Sequence, residues 1–452
     1  MQFIIILLSI FLISNLFSIE NPYKAIPISV LIQLIFVIGY IVKIKKAKII
    51  KSFLTPFSMF YFVFFLYSII GQLVWLYRDI YWFNEVGDPI PVIKIYMIAA
   101  VLLYVASLIH YTSIAPKVSR INISDKIIHL DNSLNKISNV KLLFIFFLGL
   151  VGTYIFTSGF KYIPIFSSDM SQTRLDLQES NIGGKGFGFI FMLGLLHGVV
   201  FIYDRLKKSI KIGNKIIYGF LLILFYFPLT LYSGRLLLLI PIVLIIIKRL
   251  IEKEKIRYIQ IILLMSISII LYYVVMYFGA VRFFGKGVSD ELVVRYLWGD
   301  IFPEFRMFVY FNHISETNLM NVVYGTFFSG LIPGFLFDLV GIDKSEFYIT
   351  IGKYVQSHMG HLGINLGIRM SLIGELYMAG GILSLLISFS IILVVLHFID
   401  KNFLLQKSFT DVKYITLLIG IFLALCIPYG TLFLSSTIQF AVFTILIKYV
   451  RI

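Results

Sequence analysis

Two histidines, an arginine and a glutamate crowd the approach to one long apolar run: His358, His361, Arg369 and Glu375. Each type suits a step in chemistry on a phosphate-bearing substrate. Imidazole takes up protons near neutrality and serves as a general base. A guanidinium pairs with phosphate oxygens through two parallel hydrogen bonds. A carboxylate at the mouth of a membrane span is costly to keep there and marks function. His358 and His361 have the spacing of one helical face. Arg369 and Glu375 stand six residues apart, more than a helical turn, and need not pair. The plain alternative for the histidines is a solvated loop.

Two further constellations carry the same chemistry. In the first, Ile163-Pro-Ile-Phe-Ser167 leads to Asp169 and Arg174, and Gly183-Gly-Lys-Gly-Phe-Gly188 leads back into an apolar run. Those glycines let backbone amides approach a ligand closely; an ordinary turn with a salt bridge is the simpler reading. In the second, Ser233-Gly234-Arg235 opens an apolar run with almost no other polar group nearby. A helix N-terminus there would direct amide hydrogens at an anion, whereas an arginine reaching for lipid headgroups is the structural alternative. Arg282 stands just before the long polar segment that ends at Glu375.

The frame for these residues is a membrane. Of 452 residues 59% are hydrophobic and only 14% charged, with mean hydropathy +0.95, against about 25% charged in soluble proteins. Spans are expected at about 2–19, 26–42, 54–77, 92–113, 142–159, 187–203, 216–232, 235–247, 258–280, 371–398, 414–428 and 431–447. The first is read as a retained span, because no basic start precedes it. Basic loops at 43–51, 117–141, 204–215 and 248–257 all fall on one side when the spans alternate. By the positive-inside rule that side is the cytoplasm, and both termini lie there. The outer side receives the loop 160–186 and the long loop 281–370, whose apolar part 322–340 reads as a re-entrant or surface helix, or as a further span. The expected fold is therefore a single all-α polytopic membrane domain of about twelve transmembrane helices.

Composition and motifs exclude several classes. The net charge of +16 reflects cytoplasmic loops rather than nucleic-acid binding. No nucleotide-binding glycine fingerprint, Walker-type loop or HExxH spacing is present, and the single cysteine, Cys426, permits no internal disulfide or cysteine metal cluster. No metal site and no cofactor are expected. The cytoplasmic loops carry about 20 Lys and 5 Arg, while the outer side carries about 7 of each. The positive-inside rule treats the two alike, so Arg78, Arg174, Arg235, Arg282, Arg295, Arg306 and Arg369 point to an outer anion. Chance, or pairing with acids such as Asp300 and Glu304, is the alternative.

The combination of Ile-Pro-Ile-Phe before Arg174, Ser-Gly-Arg235 opening a span, and Ile-Gly-Glu375-Leu-Tyr followed by Gly380-Gly381 resembles the Wzy-type polymerases of O-antigen and capsular polysaccharide. The resemblance implies a GT-C-like membrane fold and polymerisation at the outer face of the bacterial inner membrane. It also implies undecaprenyl-diphosphate-linked oligosaccharides as substrates and a chain-length regulator as a partner. On that reading Arg174, Arg235, Arg282 and Arg369 bind diphosphates, while His361, His358, Glu375 and Asp169 compete for the role of base. A ligase of the same architecture and a lipid-glycan flippase are the rivals. No internal repeat of the transporter kind is visible.

Overall fold

In a computed structural model, the described residues are 2–46, 55–76, 87–123, 139–157, 159–161, 163, 186–231, 240–241, 245, 303–314, 319–331, 340, 370–405 and 411–449. They form helices and no strand. The helices are α1 (Gln2–Ser18), α2 (Pro22–Lys46), α3 (Pro56–Leu76), α4 (Ile90–Ile123), α5 (Asn139–Phe156), α6 (Gly186–Lys208), α7 (Ile212–Leu231), α8 (Pro303–Ile314), α9 (Met320–Leu331), α10 (Leu372–Leu405) and α11 (Asp411–Tyr449). Five stretches are long and apolar enough to cross a bilayer: Pro22–Ile44, Pro56–Leu76, Ile90–Ile114, Ile212–Leu229 and Leu372–Leu405. They coincide with five of the expected spans. Without water to satisfy backbone groups, an apolar run of that length has the helix as its natural form.

Local sequence starts several of these helices in the same way. Asn21, Thr55 and Asp88 each stand before a proline, and a proline costs nothing in the first turn because its missing N–H would be unpaired there. The Asn21 side chain accepts from the Tyr23 amide at 2.9 Å, Thr55 from Ser58 at 3.2 Å and Asp88 from Ile90 at 3.0 Å.

Two hydrophobic cores organise the bundle. The first joins α1–α4 with α8, α9, α10 and the first limb of α11, through rings such as Phe36 stacked on Tyr104 at 4.5 Å and Tyr40 on Tyr61 at 4.0 Å. The second joins α5, α6 and α7 with α11 and with Phe403 of α10. Apolar stripes remain outside the bundle, among them Ile216, Ile217, Phe220, Ile223 and Phe227 on α7, the surface expected of a helix facing lipid. Within the segment 281–370, α8 is not a surface element. Its Phe305, Phe308 and Phe311 are among the most deeply buried side chains, with Phe305 against Gly71 of α3 and Phe308 against Gly374 of α10. A side chain at either glycine would push α8 out, so the close approach depends on them.

The last two expected spans are the limbs of one helical hairpin. Within α11, Phe422 stacks on Phe440 with ring centroids 4.7 Å apart, whereas a straight helix would separate these residues by about 27 Å. The reversal occurs at Gly430, whose φ of 74° and ψ of −164° suit glycine alone. α10 is also interrupted. Gly381 has φ 66° and ψ −155°, just after an extended Gly380. That break frees the carbonyl of Met378, which accepts instead from the Leu319 amide at 2.8 Å. Beyond the break, the Tyr324 hydroxyl of α9 meets Ser384 at 3.0 Å and Ser388 at 3.1 Å.

The hairpin predicts a cross-link. Cys426 Sγ lies 3.6 Å from Thr437 Oγ1 on the opposite limb. In Thr437→Cys, mild oxidation should protect both thiols from alkylation without aggregation; free thiols after oxidation would mean that the limbs are not antiparallel.

Candidate functional site

Of the residues expected to carry chemistry, Glu375 falls within the described residues. Asp169, Arg174, Arg235, Arg282, His358, His361 and Arg369 lie outside them.

Glu375 occupies the first turn of α10. Ser371 starts that turn, its hydroxyl accepting from the Gly374 amide at 3.1 Å and its carbonyl from the Glu375 amide at 2.9 Å. The Tyr96 hydroxyl of α4 in turn donates to Ser371 Oγ at 2.5 Å. Tyr96 is itself packed against Phe305 and Phe308, with ring centroids 5.5 Å and 6.2 Å away. The start of α10 is thus held from two sides before its carboxylate is placed.

That carboxylate is buried, with 3% of the residue exposed. Its Oε2 accepts two hydrogen bonds from one residue: the Thr431 amide at 2.6 Å and the Thr431 hydroxyl at 2.7 Å. Thr431 opens the second limb of α11, so its amide is one of the donors a helix start leaves without an intrahelical acceptor. Glu375 consequently stands at two helix N-termini, its own and that of the second limb, where a negative charge is favoured. Bonds of this charge-assisted kind contribute about 1.5–3 kcal/mol each, which offsets the cost of burying a carboxylate. Gly430 completes the fit, because a Cβ there would collide with both Glu375 carboxylate oxygens.

Other polar groups gather at the same end. Glu304 and Arg306, on α8 beside Phe305, are 8% and 3% exposed. Arg306 is one of the arginines that the sequence assigns to the outer face, and it is buried in the bundle. Among the described residues, no group of three or more His, Cys, Asp or Glu is arranged to hold a metal ion. His197 is buried and stacked on Phe440 at 5.5 Å.

No family model matches the chain, and neither a curated protein nor a solved structure matches it. The partners of Glu375 are features the sequence reading did not single out. Ser371, four residues before Glu375, carries a visible helix-start signal, and Pro428-Tyr429-Gly430 between two apolar runs marks a turn. Nothing in the sequence joins that turn to Glu375, 56 residues away.

Gly430→Ala should lower the thermal unfolding midpoint in detergent, the backbone strain alone costing about 1–3 kcal/mol. The same change should cost less in a Glu375→Ala background, where the collision is removed. Equal costs in the two backgrounds would show that the carboxylate does not occupy the turn.

Proposed function

We propose that this chain joins lipid-diphosphate-linked oligosaccharide repeat units into a polymer, in the manner of the O-antigen and capsule polymerases. The observation that carries this reading is the anchored start of α10. Met370 is fully buried and Ser371 is tied to Tyr96, and Arg369 precedes Met370 directly in the chain. A candidate phosphate ligand thereby adjoins, in the chain, the anchored start of α10. The wider arrangement of this reading is a GT-C-like bundle of about twelve spans in a bacterial plasma membrane. Both termini are cytoplasmic, and the Glu375 end faces outward.

In the reaction, a hydroxyl of one lipid-linked unit attacks the anomeric carbon of the chain held on the other lipid. The carbon–oxygen bond to the diphosphate breaks, and the lipid diphosphate leaves with the electron pair. Arg174, Arg235, Arg282 and Arg369 bind the two diphosphates and stabilise the growing charge, a contribution that is largest where water is excluded. The hydroxyl proton passes to His358, His361 or Asp169. Glu375 is a positioning residue in this scheme, because its Oε2 already accepts from Thr431 twice.

Purified chain in bilayer discs, supplied with a lipid-diphosphate-linked repeat unit and no nucleotide or metal, should yield a product ladder. Arg235→Ala should abolish the ladder while leaving insertion intact; a normal ladder would overturn the arginine assignment. Glu375→Gln keeps an oxygen acceptor for Thr431 and should retain the ladder, whereas Glu375→Ala should lose it. Loss in both, by the factor of about 10²–10⁴ that general bases contribute, would make Glu375 the base. A single transfer to another acceptor would indicate a ligase.

A lipid-glycan carrier is the second reading, favoured by the break in α10 next to a buried carboxylate, a feature of transporter sites. Translocation of the substrate without elongation would establish it.

A further inference from the structure

Between α2 and α3 lies a polar pattern that occurs twice. Each helix carries a serine followed four residues later by a glutamine: Ser29 and Gln33 on α2, Ser68 and Gln72 on α3. All four residues are fully buried. Gln33 Nε2 donates to Ser29 Oγ at 3.2 Å, and Gln72 Nε2 donates to Ser68 Oγ at 3.1 Å. On α2, residues 29, 33, 36 and 40 follow the four-three spacing of a single stripe, as do 61, 65, 68, 72 and 75 on α3. Those stripes meet, because Tyr40 stacks on Tyr61 at 4.0 Å and Phe36 lies 6.4 Å from Phe65. Beyond the two pairs, near the start of α2 and the end of α3, Tyr23 lies 6.5 Å from Trp75. Ring contacts between the two helices therefore bracket the serine–glutamine pairs on both sides.

We propose that Ser29, Gln33, Ser68 and Gln72 bind water between α2 and α3, in one site that the two pairs share. Each glutamine folds back by one turn, toward the N-terminus of its own helix, to reach its serine. The ring contacts run in opposite senses along the two helices, so α2 and α3 are antiparallel. Folding back therefore brings the two amides toward each other and to one level. The groups left open there decide the ligand. Gln33 Oε1 and Gln72 Oε1 are buried and accept no hydrogen bond. Each serine hydroxyl receives a hydrogen from Nε2 and has its own still to donate, and each Nε2 keeps a second hydrogen. The ligand must donate to two amide oxygens and accept from hydroxyl and amide hydrogens. Water does both, and a buried site with polar walls is the kind that holds it. Turning either amide over exchanges its oxygen and nitrogen and leaves that need unchanged.

Other small species fit this set less well. A cation would be held by neutral oxygens with no carboxylate among the four residues, and it would face their hydroxyl and amide hydrogens. An anion would meet the two open oxygens. Among the described residues no hydrogen bond joins one pair directly to the other, so water is what completes the link. Such a link counts for more in lipid than in water, because helices there gain nothing from the hydrophobic effect by associating. It also reaches beyond α2 and α3. Gln72 follows Gly71, against which Phe305 of α8 rests. The bound water ties α2 to the helix on which α8 packs, and this role does not depend on the polymerase reading.

The test is solid-state NMR of the full chain in lipid bilayers, read at the side-chain amides of Gln33 and Gln72. Each signal is assigned through its own backbone in the wild-type chain, so no variant has to fold for the main result. Magnetisation should pass from bound water to both amides, and the two side chains should show proton contacts with each other. Gln72→Met should reduce the water transfer at Gln33, because the shared water loses partners; an unchanged transfer would overturn the shared site. If that variant does not fold, the contact between the two wild-type side chains decides the same point, and its absence counts against the proposal. A dry amide at either position would overturn it. So would a shift of both signals when sodium or potassium replaces choline in the buffer, which is the mark of a bound cation.

Discussion

A helix that starts inside an apolar bundle leaves amide hydrogens for which there is no water, and some other part of the chain must accept them. The structure meets this need with the two ends of α10. Glu375 accepts the Thr431 amide at the start of the second limb of α11, and Asp400 accepts the Phe57 amide at the start of α3. One helix therefore places a carboxylate at the N-terminus of two others, at opposite ends of the membrane-spanning core. Each carboxylate in turn gains the partial positive charge of a helix start. Removing either acid would leave a backbone donor buried without an acceptor, a larger loss than an ordinary surface hydrogen bond.

Around those fixed points the packing is chiefly aromatic and aliphatic. α8, which the sequence places within a long outer segment, fills the space between α3, α4 and the start of α10, where Phe305 and Phe308 rest against glycines and against Tyr96. The mouth of the bundle at Glu375 is consequently floored by part of the segment that also contains His358, His361 and Arg369.

The helical membrane character was legible from the sequence, because run length and the scarcity of charge leave little alternative. The five stretches long and apolar enough to cross a bilayer fall on expected spans, and the helix starts at Asn21, Thr55 and Asp88 are local signals that need no knowledge of the rest of the fold. The turn at Gly430 was legible as a gap between two spans. What could not be read were the long-range pairs. Thr431 lies 56 residues from Glu375 and Asp400 lies 290 from His110, and no periodicity encodes such a distance. His110 and His397 each stand near a membrane end, 287 residues apart in the chain, and only the fold brings them together. Most of the candidate site, from Asp169 to Arg369, lies outside the described residues, so its assembly rests on the chemistry of its residue types.

The grip of α9 on α10 has a mechanical meaning. Leu319 holds the carbonyl of Met378 before the Gly380–Gly381 break, and Tyr324 holds Ser384 and Ser388 after it. α9 is thus a splint laid across a joint. A joint splinted on both sides cannot flex unless the splint tilts with it, so bending of α10 and displacement of the segment that carries α9 are one motion rather than two. A load applied to that segment from outside the bundle is transmitted to the short arm of α10, and with it to Glu375 and the turn that this side chain holds.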